Sequence, residues 1–503
     1  MSLTSFSFFV FLLVTLVAYY SIKPLQKYIL LAASVYFYLA ISPLSTLQVV
    51  LLVLFMALVP YVGAILMEKS KGAVKSAVFC ISVLSLVSVL FVLKYAYNIL
   101  EIFKKLFGLN ADFSALQFVG IIGISYYALS AIGYLIDVYW ESYRAEKNPA
   151  NVGLFVFYFP QVISGPVTRY ADMREQFNTK FNVNFDNITD GMRRMAWGYF
   201  KKLVISERFA IAVSAVYGSY WEYSFVGILC ATLCYAVQLY TDFSGCMDII
   251  MGASMMFGIE LPENFNAPFF SETVQEFWQR WHITLGNWFK DYVMYPFQKS
   301  KFIQTIGKKA KKVLGKKAGK KIPFYLAMLL LWFLIGLWHG GTPHYFVASA
   351  GIPFTLLFLS DLLQPVFVKL TQVLKVNTEC ASWHWFRRIR TWMLVNLIWL
   401  VVCANGIDST GDIIVHMIKK PWAYTTFESA MTTIGLDMLD VVIMLIGLLI
   451  LYIAEKCAYE KTTIFKVMDK QNAVVRIVVL YAEILMILFH GMVGSSSFIY
   501  FKF

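Results

Sequence analysis

Long apolar runs separated by short polar stretches dominate this chain. They lie near 6–21, 28–42, 46–67, 76–93, 117–139, 195–216, 224–245, 323–340, 345–369, 391–405, 437–455 and 474–493. A helix needs ~20 residues to cross about 30 Å of hydrocarbon, and several of these runs are shorter. Tilted helices, interfacial segments and half-helices are therefore expected. The pattern predicts an all-α polytopic membrane protein with about 11–13 transmembrane helices plus interfacial and re-entrant helices, forming one integral membrane domain over residues 1–503. The first run reads as a span, because no Lys or Arg precedes it and no small-residue cleavage site follows.

Two polar islands break the pattern. In Tyr158-Phe-Pro-Gln-Val-Ile-Ser-Gly-Pro-Val-Thr-Arg-Tyr170, Pro160, Gly165 and Pro166 interrupt an apolar run. Broken backbone survives at membrane depth only when buried in protein or lining a cavity. The second island runs from Thr241 to Gln298. Thr273 and Glu276 read there as a capping box opening one helix. On a 100° wheel Phe277, Trp278, Trp281, Leu285, Trp288, Phe289 and Tyr292 share one face. Gln279, Arg280, Asn287, Lys290 and Asp291 lie opposite, with His282 at the boundary. An aromatic face set against a basic one predicts a helix in the membrane interface.

Composition agrees with this reading. The 503 residues are 59% hydrophobic and 17% aromatic, with a mean hydropathy of +0.65, outside the range of soluble domains. The net charge of +13 comes mainly from a stretch, Lys299 to Lys321, with ten lysines and no acid. Between membrane segments such a stretch signals positive-inside topology and attraction to anionic lipid, not nucleic acid. A cytoplasmic loop at 299–321 places both termini outside, and Lys23/Lys27, Arg169/Arg174 and Arg387/Arg388/Arg390 on the cytoplasmic side. Seven scattered cysteines without a CxxC pair predict neither a disulfide framework nor a metal site.

The candidate chemistry centres on histidine. His339 ends an uncharged run from Pro323 to Leu337, where an ionisable residue is a functional-site hypothesis by default. Gly340 and Gly341 allow close backbone approach, and Pro343 breaks the helix. Against this stands a helix-end histidine bonded to a carbonyl. His282 sits in the most polar membrane-associated segment, and its alternative is interfacial packing. Arg280 and Lys290 read either as a solvated face or as an anion-binding rim.

Asp242-Phe-Ser-Gly245, Leu261-Pro-Glu-Asn-Phe-Asn266, Phe277-Trp-Gln-Arg-Trp-His-Ile-Thr284 and Trp338-His-Gly340, in this order, resemble the signature blocks of the membrane-bound O-acyltransferase (MBOAT) family. Phe159-Pro-Gln-Val-Ile-Ser-Gly-Pro166 and Phe498-Ile-Tyr-Phe501 are similar to its bacterial alginate O-acetyltransferase branch. The likeness spans roughly residues 30 to 503, with a core at about 150–370. It implies a ring of tilted helices around a thinned centre in the bacterial plasma membrane. It also implies His339 as the catalytic histidine, His282 as the second motif residue, and Trp338, Gly340, Arg280, Trp281, Asn287 and Lys290 along the substrate or donor channel. No bound cofactor is implied. The donor is acetyl-CoA or an acyl-carrier thioester, used as substrate. The acceptor is an extracellular polysaccharide or cell-wall polymer, reached with an extracellular esterase-like transferase as partner. Tyr500, in the closing Phe498-Ile-Tyr-Phe-Lys-Phe503, is a candidate acyl relay, with an aromatic interfacial anchor as the alternative. After Tyr295-Pro296 the chain departs from the branch: Phe297-Gln298 and the lysine-rich stretch replace a glycine-containing turn. Within the family the rival is a teichoic-acid D-alanyl transferase. From another class it is a transporter or flippase for lipid-linked sugars, which predicts paired intramembrane charges or inverted repeats; the sequence displays neither.

Overall fold

The computed structural model describes residues 1–108, 110–113, 122–422 and 433–493. Tyr500, the candidate relay, lies outside them. The described chain is helical, and an isolated antiparallel bridge joins Phe265 to Trp281. Eight of its helices are long and apolar enough to cross a membrane: Lys23–Ile41, Thr46–Lys69, Gly72–Glu101, Phe225–Met255, Lys301–Trp338, Pro343–Val373, Met438–Tyr459 and Ala473–His490. Among the described residues, other apolar runs form helices that are shorter or carry more charge. Phe6–Ser21 and Ile124–Tyr139 have 16 residues each, about 24 Å of helix. Glu207–Gly218 has 12 and follows a π-helical turn carrying two lysines. Ala381–Cys403 carries three arginines in its first half. In Ala473–His490, which packs on the Phe200–Ser206 turn, no residue is fully buried; its exposed Val, Ile, Leu and Phe side chains belong against lipid.

Packing divides the described chain into two compact units. One comprises Met1–Tyr199 with Gly245–Pro262. There Thr46–Lys69, Gly72–Leu90 and Ile124–Tyr139 pack on one another, and Gln26–Ile41 packs on Pro149–Phe157. The first polar island, Tyr158 to Tyr170, is buried except at Arg169, as expected of broken backbone at this depth. Side chains satisfy it. The Phe159 amide donates to Ser34 Oγ at 3.0 Å, Gln161 Nε2 to the Phe155 carbonyl at 2.6 Å, and Thr168 Oγ1 to Gln161 Oε1 at 3.0 Å. The Phe185–Tyr199 helix meets residues 245–255 backbone to backbone. A Cβ on Gly191 would stand 2.5 Å from the Gly252 carbonyl oxygen, and one on Gly198 2.6 Å from that of Gly245. Small residues at such a spacing let membrane helices approach closely.

The second unit comprises Phe200–Ser244 and the described chain from Glu263 to Val493. Val216, Ile228, Ala231, Leu400, Ala404, Ile413 and Met417 form a buried cluster in it. The lysine-rich stretch 299–321 is not a loop. Lys301–Trp338 is a helix folded on itself at Gly315, whose φ of 81° lies in the left-handed region. The arms run antiparallel in contact: a Cβ on Gly307 would meet Pro323 Cγ at 2.6 Å, and one on Gly319 the Lys311 nitrogen at 2.4 Å. All ten lysines remain exposed, and Lys321 reaches Asp361 at 2.6 Å. The second arm then runs on to Trp338.

Candidate active site

The helix expected from Thr273 onward is broken in two. Thr273 Oγ1 accepts the Glu276 amide at 3.1 Å, as a cap should. The Glu276 carboxylate turns to the Glu272 amide at 2.9 Å and to Arg280 Nε at 3.0 Å, so the reciprocal half of the box is not made. Val274–Arg280 then ends and Ile283–Phe289 begins, with His282 between them at φ 48°, ψ 52°. A non-glycine residue in the left-handed region must be held there by its surroundings. A short antiparallel clasp does so. The Asn266 amide donates to the Arg280 carbonyl and the Ile283 amide to the Asn264 carbonyl, each at 3.0 Å. Tertiary hydrogen bonds thus override the helical period, yet the aromatic face survives the break. Phe277, Trp281, Leu285, Trp288, Phe289 and Tyr292 are all buried.

Asn264 also sets the state of the histidine. Its Oδ1 lies 3.2 Å from the Thr284 amide nitrogen, 2.9 Å from Thr284 Oγ1 and 3.1 Å from His282 Nδ1. A backbone N–H only donates, so the amide atom facing it is the oxygen, and Nδ1 must then donate as well. The proton of neutral His282 therefore sits on Nδ1, and Nε2 carries the lone pair. His282 is 5% exposed. Burial first, and the charge His339 would carry second, hold its imidazolium well below the ordinary 6.5.

Trp338 joins the two histidines. It is buried, its ring centroid 5.8 Å from His282 and 4.8 Å from His339. His339 caps the helix, its amide bonded to the Ile335 carbonyl at 3.0 Å, and is partly exposed. Gly340 follows at φ 138° and Gly341 at φ 68°, so the chain leaves the helix through conformations that L side chains rarely adopt. Tyr345 returns to stack on His339 at 6.2 Å. Phe243 closes on His282 from the Phe225–Met255 helix at 4.8 Å.

The other expected site residues divide. Trp281 is buried beside His282 against Phe265, Phe277 and Trp399. Trp278 packs on Trp332 at 5.2 Å, which ties this segment to the helix bearing His339. Arg280 turns to Glu276 and the Asn266 carbonyl. Asn287 is exposed, and Lys290 is partly buried at the start of a π-helical turn. Burial draws its ammonium down, partly offset by Asp291. The sequence reading gave Asn264, Thr284, Phe243 and Tyr345 no role. The first three lie inside the motif blocks quoted above, and that was the available signal.

Paired buried charges, absent from the sequence pattern, are present in the structure. Lys202 Nζ meets Asp242 Oδ1 at 2.5 Å and Glu207 Oε1 at 2.6 Å, and Lys201 Nζ donates to Ser244 Oγ at 2.8 Å. The triad links the π-helical turn Phe200–Ser206 to the helix carrying Phe243, so it supports the ring that flanks His282.

An all-α membrane protein with a clasped, buried histidine beside a second histidine at a helix end is the class these features define. The membrane-bound O-acyltransferase family model matches residues 30–307, more than half of the chain, and the chain belongs to that family. The matched stretch contains His282 and stops before His339. The probable alginate O-acetylase AlgI of Pseudomonas syringae pv. tomato is 29% identical over 330 residues, 64% of this chain and 56% of that protein. The peptidoglycan O-acetyltransferase of Helicobacter pylori is 27% identical over 382 residues, 70% of this chain and 66% of that protein. The teichoic acid D-alanyltransferase of Bacillus subtilis is 29% identical over 232 residues, 46% and 56% respectively. The chain thus spans little more than half the length of the alginate relative.

Proposed function

We propose that this protein is a membrane O-acyltransferase. It takes an acyl group, acetyl in the first instance, from a cytosolic thioester and delivers it to a hydroxyl of an extracellular polysaccharide or cell-wall polymer. The observation that carries this reading is the His282–Trp338–His339 cluster, with His282 locked by Asn264. Family membership and the three relatives support the reaction class.

His339 acts as general base. It takes the proton of the acceptor hydroxyl as that oxygen attacks the thioester carbonyl, and the C–S bond breaks as the tetrahedral carbon collapses. The thiolate leaves and recovers the proton from the His339 imidazolium. Such proton transfer contributes typically ~10²–10⁴-fold. In its Nδ1–H tautomer His282 offers Nε2 as an acceptor, which suits it to hold a hydroxyl in place. Stabilising a developing oxyanion would need a second proton, which burial opposes. In the membrane, the lysine hairpin faces the cytoplasm and both termini face outward. An extracellular esterase-like transferase is the partner that presents the polymer hydroxyl to this site.

The test is transfer of labelled acetyl from acetyl-CoA to oligosaccharide acceptors by the purified protein in proteoliposomes. His339→Ala should drop the rate by ~10²–10⁴-fold while the protein elutes as a folded species. Undiminished transfer by that variant refutes the assignment. Preference for a D-alanyl-loaded carrier over acetyl-CoA would move the reading to the teichoic-acid branch.

A further inference from the structure

At the start of the Ala381–Cys403 helix, basic side chains crowd onto one carboxylate. Arg387 Nη1 lies 2.8 Å from Glu272 Oε2, Arg388 Nη2 3.9 Å from Oε1, and His384 Nδ1 2.7 Å from Oε1. Arg390 Nη2 donates to the Glu272 carbonyl at 2.9 Å. Arg280, bound to Glu276, shares the Tyr459 ring with Arg388, at 5.3 and 5.2 Å. Three arginines therefore meet two carboxylates and a fourth, Arg390, meets only the Glu272 carbonyl, a surplus of two positive charges within these contacts before His384 is counted.

A structural clamp between this helix and Glu272 needs one arginine. The surplus is arranged as for a ligand. Phe270, Trp385 and Tyr459 hold the Arg388 guanidinium at 5.1, 5.1 and 5.2 Å, and its buried Nε has no hydrogen-bond partner. Arg387 is about a third exposed and Arg390 lies on the surface. A guanidinium presents five N–H donors in a fork that matches phosphate, and a single contact leaves most of them available.

The same helix gives the distance to the histidines. Trp399 packs on Trp281 at 5.5 Å, next to His282 in the chain. From Arg390 to Trp399 the helix rises ~13.5 Å, and from Arg387 ~18 Å, at ~1.5 Å per residue. In a phosphopantetheinyl arm roughly thirteen bonds separate phosphorus from sulfur. Extended like a peptide at ~3.3–3.6 Å per three bonds, they span about 15 Å. We propose that Arg387 and Arg390, backed by Arg388, bind the phosphate of a phosphopantetheinyl thioester, and that the helix sets its sulfur at the depth of His282. This rests on the acyl-transfer reading above.

Three donors test it: acetyl-CoA, acetyl-4′-phosphopantetheine and acetyl-pantetheine, which lacks the phosphate. For the wild type, losing the phosphate should lower kcat/KM by roughly 10–100-fold, through KM. Arg387→Gln/Arg390→Gln should lose the same factor with the phosphorylated donors and nearly nothing with acetyl-pantetheine. Equal losses with all three donors, or no wild-type preference for the phosphate, overturn the proposal. An acetylated carrier protein compared with acetyl-CoA identifies the source of the arm as the donor more sensitive to the double variant. If the wild type transfers acetyl from none of them, the proposed reaction falls, and calorimetric binding of CoA decides the site alone. Binding weakened in the double variant supports it, and equal binding overturns it.

Discussion

Lys202→Met removes the cation that Asp242 and Glu207 share and leaves the side-chain volume nearly unchanged. The three residues are 1–3% exposed, and the contacts are 2.5 and 2.6 Å. At an effective dielectric of ~20 one such contact is worth roughly 6 kcal/mol before desolvation, and desolvation offsets most of that. The measurable quantity is the loss on removing one partner, about 3–5 kcal/mol for a buried pair. Two carboxylates left facing one another place the loss in the upper half of that range. At ~2.1 cal/mol/K of unfolding entropy per residue, a chain of 503 residues shifts by about 1 °C per kcal/mol, so melting should fall by roughly 4–5 °C, followed by tryptophan fluorescence in nanodiscs. A triple variant, Lys202→Met/Glu207→Gln/Asp242→Asn, carries no orphaned charge and should recover at least half of the loss. A single variant that melts with the wild type, or a triple variant worse than the single, refutes the reasoning.

Three further outcomes follow from the site and the hairpin. His282 binds its proton well below 6.5 when folded and near 6.5 when unfolded, so below pH 6.5 the unfolded chain holds more protons. Stability therefore falls as pH drops through that value, by up to about 1.4 kcal/mol per unit from this group. His282→Gln should flatten that slope in melting curves between neutral and acidic pH, and identical slopes would discount the histidine. Asn264→Ala removes the acceptor that fixes the Nδ1–H tautomer and the left-handed turn. It should lower kcat by roughly 10–100-fold, the range of a lost charge-assisted or orienting contact, whereas unchanged turnover would show that the clasp alone orients the ring. Gly319→Val drives a side chain into the Lys311 backbone and should part the hairpin arms, read as faster tryptic cleavage at Lys311 and Lys312. An unchanged cleavage rate would mean that the arms are not held by this contact.

The apolar runs were legible in the sequence because the bilayer fixes how much apolar helix a span requires. His339 was legible for a related reason, as a lone ionisable group closing such a run. The wheel placed the aromatic face correctly, since Phe277, Trp281, Leu285 and Trp288 are buried on either side of the break. The break itself was not legible. A histidine at φ 48° is imposed by Asn264 and Asn266 from a separate segment, and no local propensity announces it. Lysine is an ordinary helix former, so the stretch 299–321 looked like a loop until the contacts of Gly307 and Gly319 showed two packed arms. The Lys202 triad escaped for want of range: its partner Asp242 is 40 residues away, and Lys201, Lys202, Glu207 and Arg208 together resemble a solvated helix end.

The lysine hairpin sets packing against charge. Its arms touch at glycines, where no side chain can adapt, and its nine exposed lysines repel one another. Screening decides the balance, because the Debye length is about 8 Å at physiological ionic strength and about 30 Å in 0.01 M salt. Closed by backbone contact and strained by like charge, the hairpin behaves as a spring whose tension is set by the surrounding counter-ions. Dilute buffer loads it, and polyvalent anions relax it.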